Sequence, residues 1–273
     1  MPSDRPRAAR IDSAGLRRTA RGMAALAGLL LAACASGPAR EAREPDALAS
    51  AGQLVVVTSP GWDDTHGTLR RYERDGEGWR EVGAATPVML GRSGSAWGVG
   101  VHPPPPDAVA GPRKREGDGR APAGIFRIGT AFGYPASAAT ALPYAAMDEG
   151  DWCIDVADSP LYNRIVNERE VGKDAVAGST EPMRRDLHAG GDVRYRLGFV
   201  IEHNPQARAG AGSCIFAHLW RTPGETTAGC TAMDEAAMQD LLAWLDDARR
   251  PLFVLLPRAA YDEFRAAWRL PSP

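Results

Sequence analysis

Two residues of this chain have the types and spacing of a nucleophile and its base. Cys230 stands in "TTAGCTAM" (residues 226–233), directly after a glycine, and His218 stands twelve positions earlier in "GSCIFAHLWRTPGE". A thiol reacts as its thiolate, so it needs a neighbour that takes its proton. An imidazole can do so, and a helix N-terminus adds partial positive charge. Behind Cys230 runs "DEAAMQDLLAWLDDARR", with Met238, Leu241, Leu242 and Leu245 at helical spacing, Asp234 as a cap and Arg249-Arg250-Pro251 as a stop. This pattern predicts a helix over residues 234–247 with Cys230 at its N-terminal end. Gly229 removes a side chain beside the sulfur and would leave backbone N–H groups for an oxyanion. Cysteine is also among the most buried residue types, and a single histidine is more often structural than catalytic. Spacing by itself leaves both readings open.

The elements that must position this pair are mostly strands. "QLVVVTS" (53–59) is a β-branched first strand, and "GTLRRYERDGEGWREVGA" (67–84) is two extended runs flanking a "DGEG" hairpin signal. "HPPPP" (102–106) opens a loop that continues through "GPRKREGDGRAPAG", after which "IFRIG" is a short strand. Residues 130–190 show no clear period, with a short helix expected at "SPLYNRIV" (159–166). "YRLGFVIEHN" puts Leu197, Phe199 and Ile201 on one face, "CIFAHLW" is another strand, and "LFVLL" closes the run. One strand-rich α+β domain over about residues 52–270 follows, without internal repeats.

The N-terminus reads as targeting. Arg17, Arg18 and Arg21 precede the apolar "MAALAGLLLAA" (23–33), about the length of a signal h-region. "LAAC" then resembles a bacterial lipobox, with Cys34 as the lipidated residue. Residues 1–33 are expected to be a lipoprotein signal peptide and 34–51 a lipid-anchored flexible tether, rich in Ala, Arg, Glu and Pro without an apolar period. Neither Ala35 nor Ser36 is acidic, so the expected location is the periplasm, anchored to the outer membrane. Of four cysteines, lipidation of Cys34 leaves three. In an oxidising compartment the simplest partition pairs Cys153 with Cys214 and leaves Cys230 free. The alternative is two buried thiols.

At these residues the chain resembles the L,D-transpeptidase (YkuD-type) family, whose signature is a His followed at a distance by Ser/Thr-His-Gly-Cys. "KREGDGRAPAGIF" (114–126) is similar to the family's Gly-Asp…Thr-Pro-x-Gly segment, and "GFVIEHN" to the strand before its active site. The resemblance spans roughly residues 54–257. It implies an L,D-transpeptidase-like β-sandwich with a helix directly after the catalytic cysteine, and makes 52–270 the catalytic domain. By position, Cys230 matches the nucleophile and His218 the base. Leu219 supplies the carbonyl that orients the imidazole, Gly229 and Ala228 the oxyanion backbone, and Thr227, Trp220 and Thr231 substrate contacts. The implied reaction is ping-pong acyl transfer from a peptidoglycan stem peptide, with loss of D-alanine. The acceptor is a second stem, a protein lysine or water, the last making an L,D-carboxypeptidase or endopeptidase. No cofactor is implied. Two departures concern recognition of the donor. Ala228 replaces the signature's second His, and Thr231, Ala232 and Met233 stand where an Arg or Asn usually follows the cysteine.

Other classes fit less well. Papain-like and NlpC-type peptidases place Cys well before His. His66, His102, His188 and His203 are scattered, with no H-E-x-x-H and no C-x-x-C, so no metal is expected. Ordinary globular composition and a formal net charge of -2 give no reason to expect a nucleic-acid partner. The basic run Arg113-Lys114-Arg115 reads as a solvated loop. The non-enzymatic reading is a wall-binding lipoprotein on the same fold.

Overall fold

The computed structural model describes residues 45–106 and 109–272. The expected signal peptide, Cys34 and most of the expected tether lie outside the described residues.

Where the chain enters view it is already packed. Helix α1 (Asp46–Ser50) buries Leu48 completely, so the last part of the expected tether is part of the fold. Strands β1 (Gln53–Ser59), β2 (His66–Asp75) and β3 (Gly78–Met89) follow. The β2–β3 hairpin turns at Gly76, whose φ of 56° suits glycine, and pairs Asp75 with Gly78. Next come β4 (Ser95–Trp97) and the long β5 (Ala121–Gly133), which extends the expected "IFRIG" strand in both directions. Short strands β6 (Tyr144–Ala146), β7 (Asp151–Cys153), β8 (Ile165–Asn167) and β9 (Glu181–Pro182) alternate with one-turn helices α2 (Glu168–Val171), α3 (Lys173–Val176) and α4 (Arg185–His188). The chain ends with β10 (Leu197–Ile201), β11 (Phe216–Leu219), β12 (Thr231–Met233), α5 (Glu235–Trp244), β13 (Leu252–Pro257) and α6 (Arg258–Phe264).

The main sheet runs β10-β11-β12-β3-β2-β1-β13-β5-β4, and β10 also pairs with β5. That last pairing brings the sheet back on itself, so eight strands follow one another in a ring. The expected two facing sheets are realised as one curled, mostly antiparallel sheet in a mixed α/β fold. β1 and β13 lie side by side in parallel and are buried along almost their whole length. Their Val/Leu-rich composition reflects cover on both faces, and α6 packs against both. α5 packs on β10 and β11.

The poorly periodic stretch forms a separate three-stranded sheet, β8-β7-β9. The helix expected at 159–166 is absent: Asn163 adopts φ 61°, and the chain turns into β8. The turn has a purpose visible in its side chain. Asn163 donates to the carbonyls of His203 and Asn204 (both 2.9 Å) and accepts from the Cys214 N–H (2.9 Å). A residue whose amide bridges three backbone groups cannot also propagate a helix.

The same junction carries the expected disulfide, Cys153–Cys214, with Cα atoms 5.9 Å apart, and among the described residues Cys230 is the free thiol. The bridge ties β7 to the segment entering β11 across a sequence separation of 61 residues. Closing a loop of that length in the unfolded chain contributes about 4 kcal/mol. Replacing both partners with alanine is expected to lower unfolding free energy by about that amount in urea titrations. Reductant should destabilise the wild type and leave the double variant unchanged.

Candidate active site

β11 and β12 pair in parallel, with Ala217 opposite Thr231 and His218 opposite Ala232. Cys230 precedes Ala232 by two residues, so it shares the face of His218 but sits one pair step lower, about 7 Å along the strand direction. It is therefore level with Phe216, and the Phe216 N–H reaches its Sγ at 3.3 Å. Both side chains line one cavity of 240 Å³. The cysteine thus stands at the mouth of a short strand. The helix begins only at Glu235, capped by the Asp234 carboxylate on the Ala237 N–H (2.8 Å), and ends at Trp244. The expectation of Cys230 at the helix N-terminus is corrected: a three-residue strand intervenes, and the helix dipole falls off within its first turn.

Leu219 follows His218 on β11, and its carbonyl faces the imidazole. Its carbonyl accepts from His218 Nδ1 at 2.8 Å, which fixes the proton on that nitrogen and leaves Nε2 as the basic one. The Leu219 N–H is in turn held by the Arg194 carbonyl (3.0 Å), and the edge-on Tyr195 ring lies 5.2 Å from the imidazole. Cys230 and His218 do not hydrogen-bond to each other. The thiol donates instead to the Cys214 carbonyl (3.5 Å), which lies nearer because of the pair-step offset.

The loop before Cys230 is shaped by Thr227. Its hydroxyl donates to the Cys230 carbonyl (2.7 Å) and accepts from the Gly229 N–H (3.0 Å), while its backbone N–H binds the Leu90 carbonyl. Thr227 lines the cavity, but its hydroxyl is committed to the loop rather than offered to a substrate. The Gly229 N–H is likewise spent, so of the two expected oxyanion positions the exposed Ala228 is the one not used in this turn. Glycine at 229 is required for close approach, since a Cβ there would lie 2.9 Å from the Arg120 carbonyl oxygen. Thr231 and Trp220 are corrected as substrate contacts. Thr231 is buried inside β12, and Trp220 caps the end of β11 through its N–H to Met233; neither lines the cavity.

The charged lining escaped sequence reasoning. Arg185 binds Glu181 and Asp192 (both 2.9 Å), and Arg194 forks onto Asp192 (2.6 Å). Tyr195 donates to Glu181 (2.6 Å). The "RRD" cluster lies in the stretch without period and "DVRYR" directly before the face-forming residues of β10, and only the fold brings them to the wall shared with His218. Lys114, expected in a solvated loop, is buried and holds Asp118 at 2.5 Å. The remaining histidines play structural parts. His102 accepts from the Ile125 N–H, and His203 accepts from Val99 and donates to the Ala211 carbonyl. His188 contacts the Glu149 carbonyl, and His66 is exposed in β2.

Burial governs the ionisation of the pair. It pushes the Cys230 thiol up to about 12, with the Glu181 carboxylate adding to the effect. It pushes His218 down to about 4, opposed by the bond to Leu219. The resting pair is a neutral thiol and a neutral imidazole. Burial also opposes ionisation of Asp192, yet hydrogen bonds from Arg194 and Arg185 hold its carboxyl well below the usual range.

The fold and site together define a mixed α/β, mostly sheet protein with a buried cysteine and an oriented histidine on one cavity wall. No family model and no curated protein matches the chain. Among solved structures it is similar to one titled "Structure of Bdellovibrio bacteriovorus Bd1075", at 11% identity and a TM-score of 0.38. The match covers 82% of this chain and 57% of that one, so the chain spans less than two thirds of that protein's length.

Two measurements follow from the ionisation states. Alkylation of native Cys230 by iodoacetamide, read by intact mass, is expected to be slow at neutral pH and to rise about tenfold per pH unit, with no plateau near 8.5. A plateau there would mean an activated thiol at rest. His102, His203 and His218 each sit at about 4 in the fold against 6.5 unperturbed. Their stabilising effect is complete above pH 6.5 and is lost as pH falls through 4, because the unfolded chain takes up protons first. The urea midpoint is therefore expected to drop steadily between those values, above the range where most carboxylates titrate.

Proposed function

We propose that the chain is a thiol-dependent acyltransferase of the L,D-transpeptidase kind, acting on peptidoglycan stem peptides. The observation that carries the reading is the shared cavity wall: Cys230 and His218 lie on adjacent parallel strands, with His218 Nδ1 tied to the Leu219 carbonyl. A backbone carbonyl in the orienting role is what the resemblance implies. The disulfide agrees with an exported protein. Lipid attachment at Cys34 and a periplasmic place at the outer membrane belong to the same proposal.

The geometry suggests how the reaction runs. A neutral thiol near 12 and an imidazole near 4 do not exchange a proton at rest. The transfer to Nε2 must accompany attack of Sγ on the carbonyl carbon, as general-base catalysis. The offset between the two side chains must also close, with the thiol leaving the Cys214 carbonyl. The new oxyanion takes a hydrogen bond from the Ala228 N–H, which the turn leaves unused. Collapse expels the amine, which takes the proton from His218 and leaves a thioester. An amine acceptor then gives a new amide, or water gives a free acid, and either step restores the thiol.

The second reading is a wall-binding protein on the same framework without turnover. The thiol's hydrogen bond to Cys214, in place of His218, favours it. Incubation with defined muropeptides separates the two, and product masses tell cross-linking, lysine attachment and hydrolysis apart. Intact-mass measurement with a carbapenem-type β-lactam is expected to show one adduct on the wild type and none on Cys230→Ala. His218→Ala should slow acylation roughly 100- to 10,000-fold, with partial recovery at raised pH. An adduct on Cys230→Ala at the wild-type rate overturns the assignment.

A further inference from the structure

We propose that Arg92 is the anion anchor of the cavity and holds a carboxylate of the peptide whose acyl group Cys230 takes. The inference rests on the acyl-transfer reading above and names a residue that neither the sequence nor the dyad singles out.

Four cationic side chains line the cavity: Arg92, Lys114, Arg185 and Arg194. Three are committed. Lys114 holds Asp118 at 2.5 Å, Arg185 holds Glu181 and Asp192, and Arg194 holds Asp192. The wall's carboxylates are also supplied with donors. Glu116 takes the hydroxyls of Ser213 and Tyr162, Asp155 those of Ser179 and Thr180, and Glu181 that of Tyr195. Among the described residues the Arg92 guanidinium has no hydrogen-bond or ion-pair partner. Its charge is the one on this wall that an incoming group would have to answer.

Arg92 is exposed, yet its place is fixed by the turn that carries the nucleophile. Its backbone N–H donates to the Thr227 carbonyl (2.8 Å), and the Thr227 N–H returns to Leu90 (2.9 Å). The next residue, Ser93, donates to the Gly119 carbonyl (2.9 Å). The Arg92 side chain lies across Gly119, where an added Cβ would come within 3.0 Å of its Cγ, Nε and Cζ. Gly119 has φ 70°, so glycine suits both the backbone and the shelf. The guanidinium is thus presented to the cavity three residues from Cys230 by way of Thr227. A planar fork of N–H donors matches a carboxylate best.

A donor peptide offers that chemistry at two places: the terminal carboxylate of the departing residue, or a carboxylate on the acyl-donating residue. Steady-state kinetics of the wild type, Arg92→Gln and Arg92→Lys would use one tetrapeptide ending in D-alanine in three forms. One has all carboxylates free, one an amidated terminus, and one an amidated carboxyl on the acyl-donating residue. Arg92→Gln is expected to lose roughly 10- to 100-fold in kcat/KM on the free peptide, and Arg92→Lys to recover part of it. One amidation should cost the wild type a similar factor and leave Arg92→Gln indifferent, and that arm names the source. Arg92→Gln at the wild-type rate, or both amidations costing it as much as the wild type, overturns the anchor alone. A wild type that turns over none of the free peptide overturns the acyl-transfer reading and this inference with it.

Discussion

The parallel pairing of β11 with β12 is the constraint on which the site depends. Parallel neighbours cannot be joined by a tight hairpin, because the chain must travel back to the starting end of the first strand. Residues 220–230 make that return. They cross to the loop after β3, where Thr227 exchanges backbone hydrogen bonds with Leu90 and Arg92. They re-enter the sheet beside Phe216. Cys230 is the residue at the point of re-entry, so its level against β11 is a consequence of the pairing register. The loop after β3 is part of the cavity for the same reason.

Around that pairing the site balances burial against charge. The thiol belongs to an apolar cluster with Phe132, Tyr195, Phe216 and the Cys153–Cys214 bridge. Burial there keeps both it and His218 neutral. One layer away, Asp192 gathers Arg185 and Arg194, and Glu181 is shared between Arg185 and Tyr195. The buried Asp192 carboxylate and the half-buried groups around it satisfy one another, and removing both arginines would strand its charge. The knot also fixes the Arg194 backbone, whose carbonyl holds Leu219, whose carbonyl holds His218. Orientation of His218 thus reaches back through two hydrogen bonds to a salt-bridge network on β9, α4 and the approach to β10.

Local pattern was readable where it had a period or a stiff residue type. β1, β10, β11, β13 and α5 announce themselves by β-branched runs, alternation or 3.6-residue spacing, and the "DGEG" hairpin by its glycines. Counting cysteines made the pairing of Cys153 with Cys214 the simplest partition but left two buried thiols open, and the fold settles it. The stretch 130–190 was not readable, because its strands are two or three residues long and held by side chains such as Asn163 rather than by their own period. The same brevity hid β12: three residues between Cys230 and Asp234 read as the approach to a helix, and only a partner strand makes them a strand.

By itself, then, the sequence determined which residues could do chemistry, the strand-rich class, and the cap and core face of α5. Each depends on residue type or on neighbours within a turn or a strand. Tertiary structure decided the rest: the curl that pairs β10 with β5, the level of Cys230 against His218, the neutrality of both, and the cations that share their cavity. Those depend on register between distant strands and on burial. Neither is encoded in any window of the chain, since a proton's place on sulfur or nitrogen is set by what surrounds it from every side.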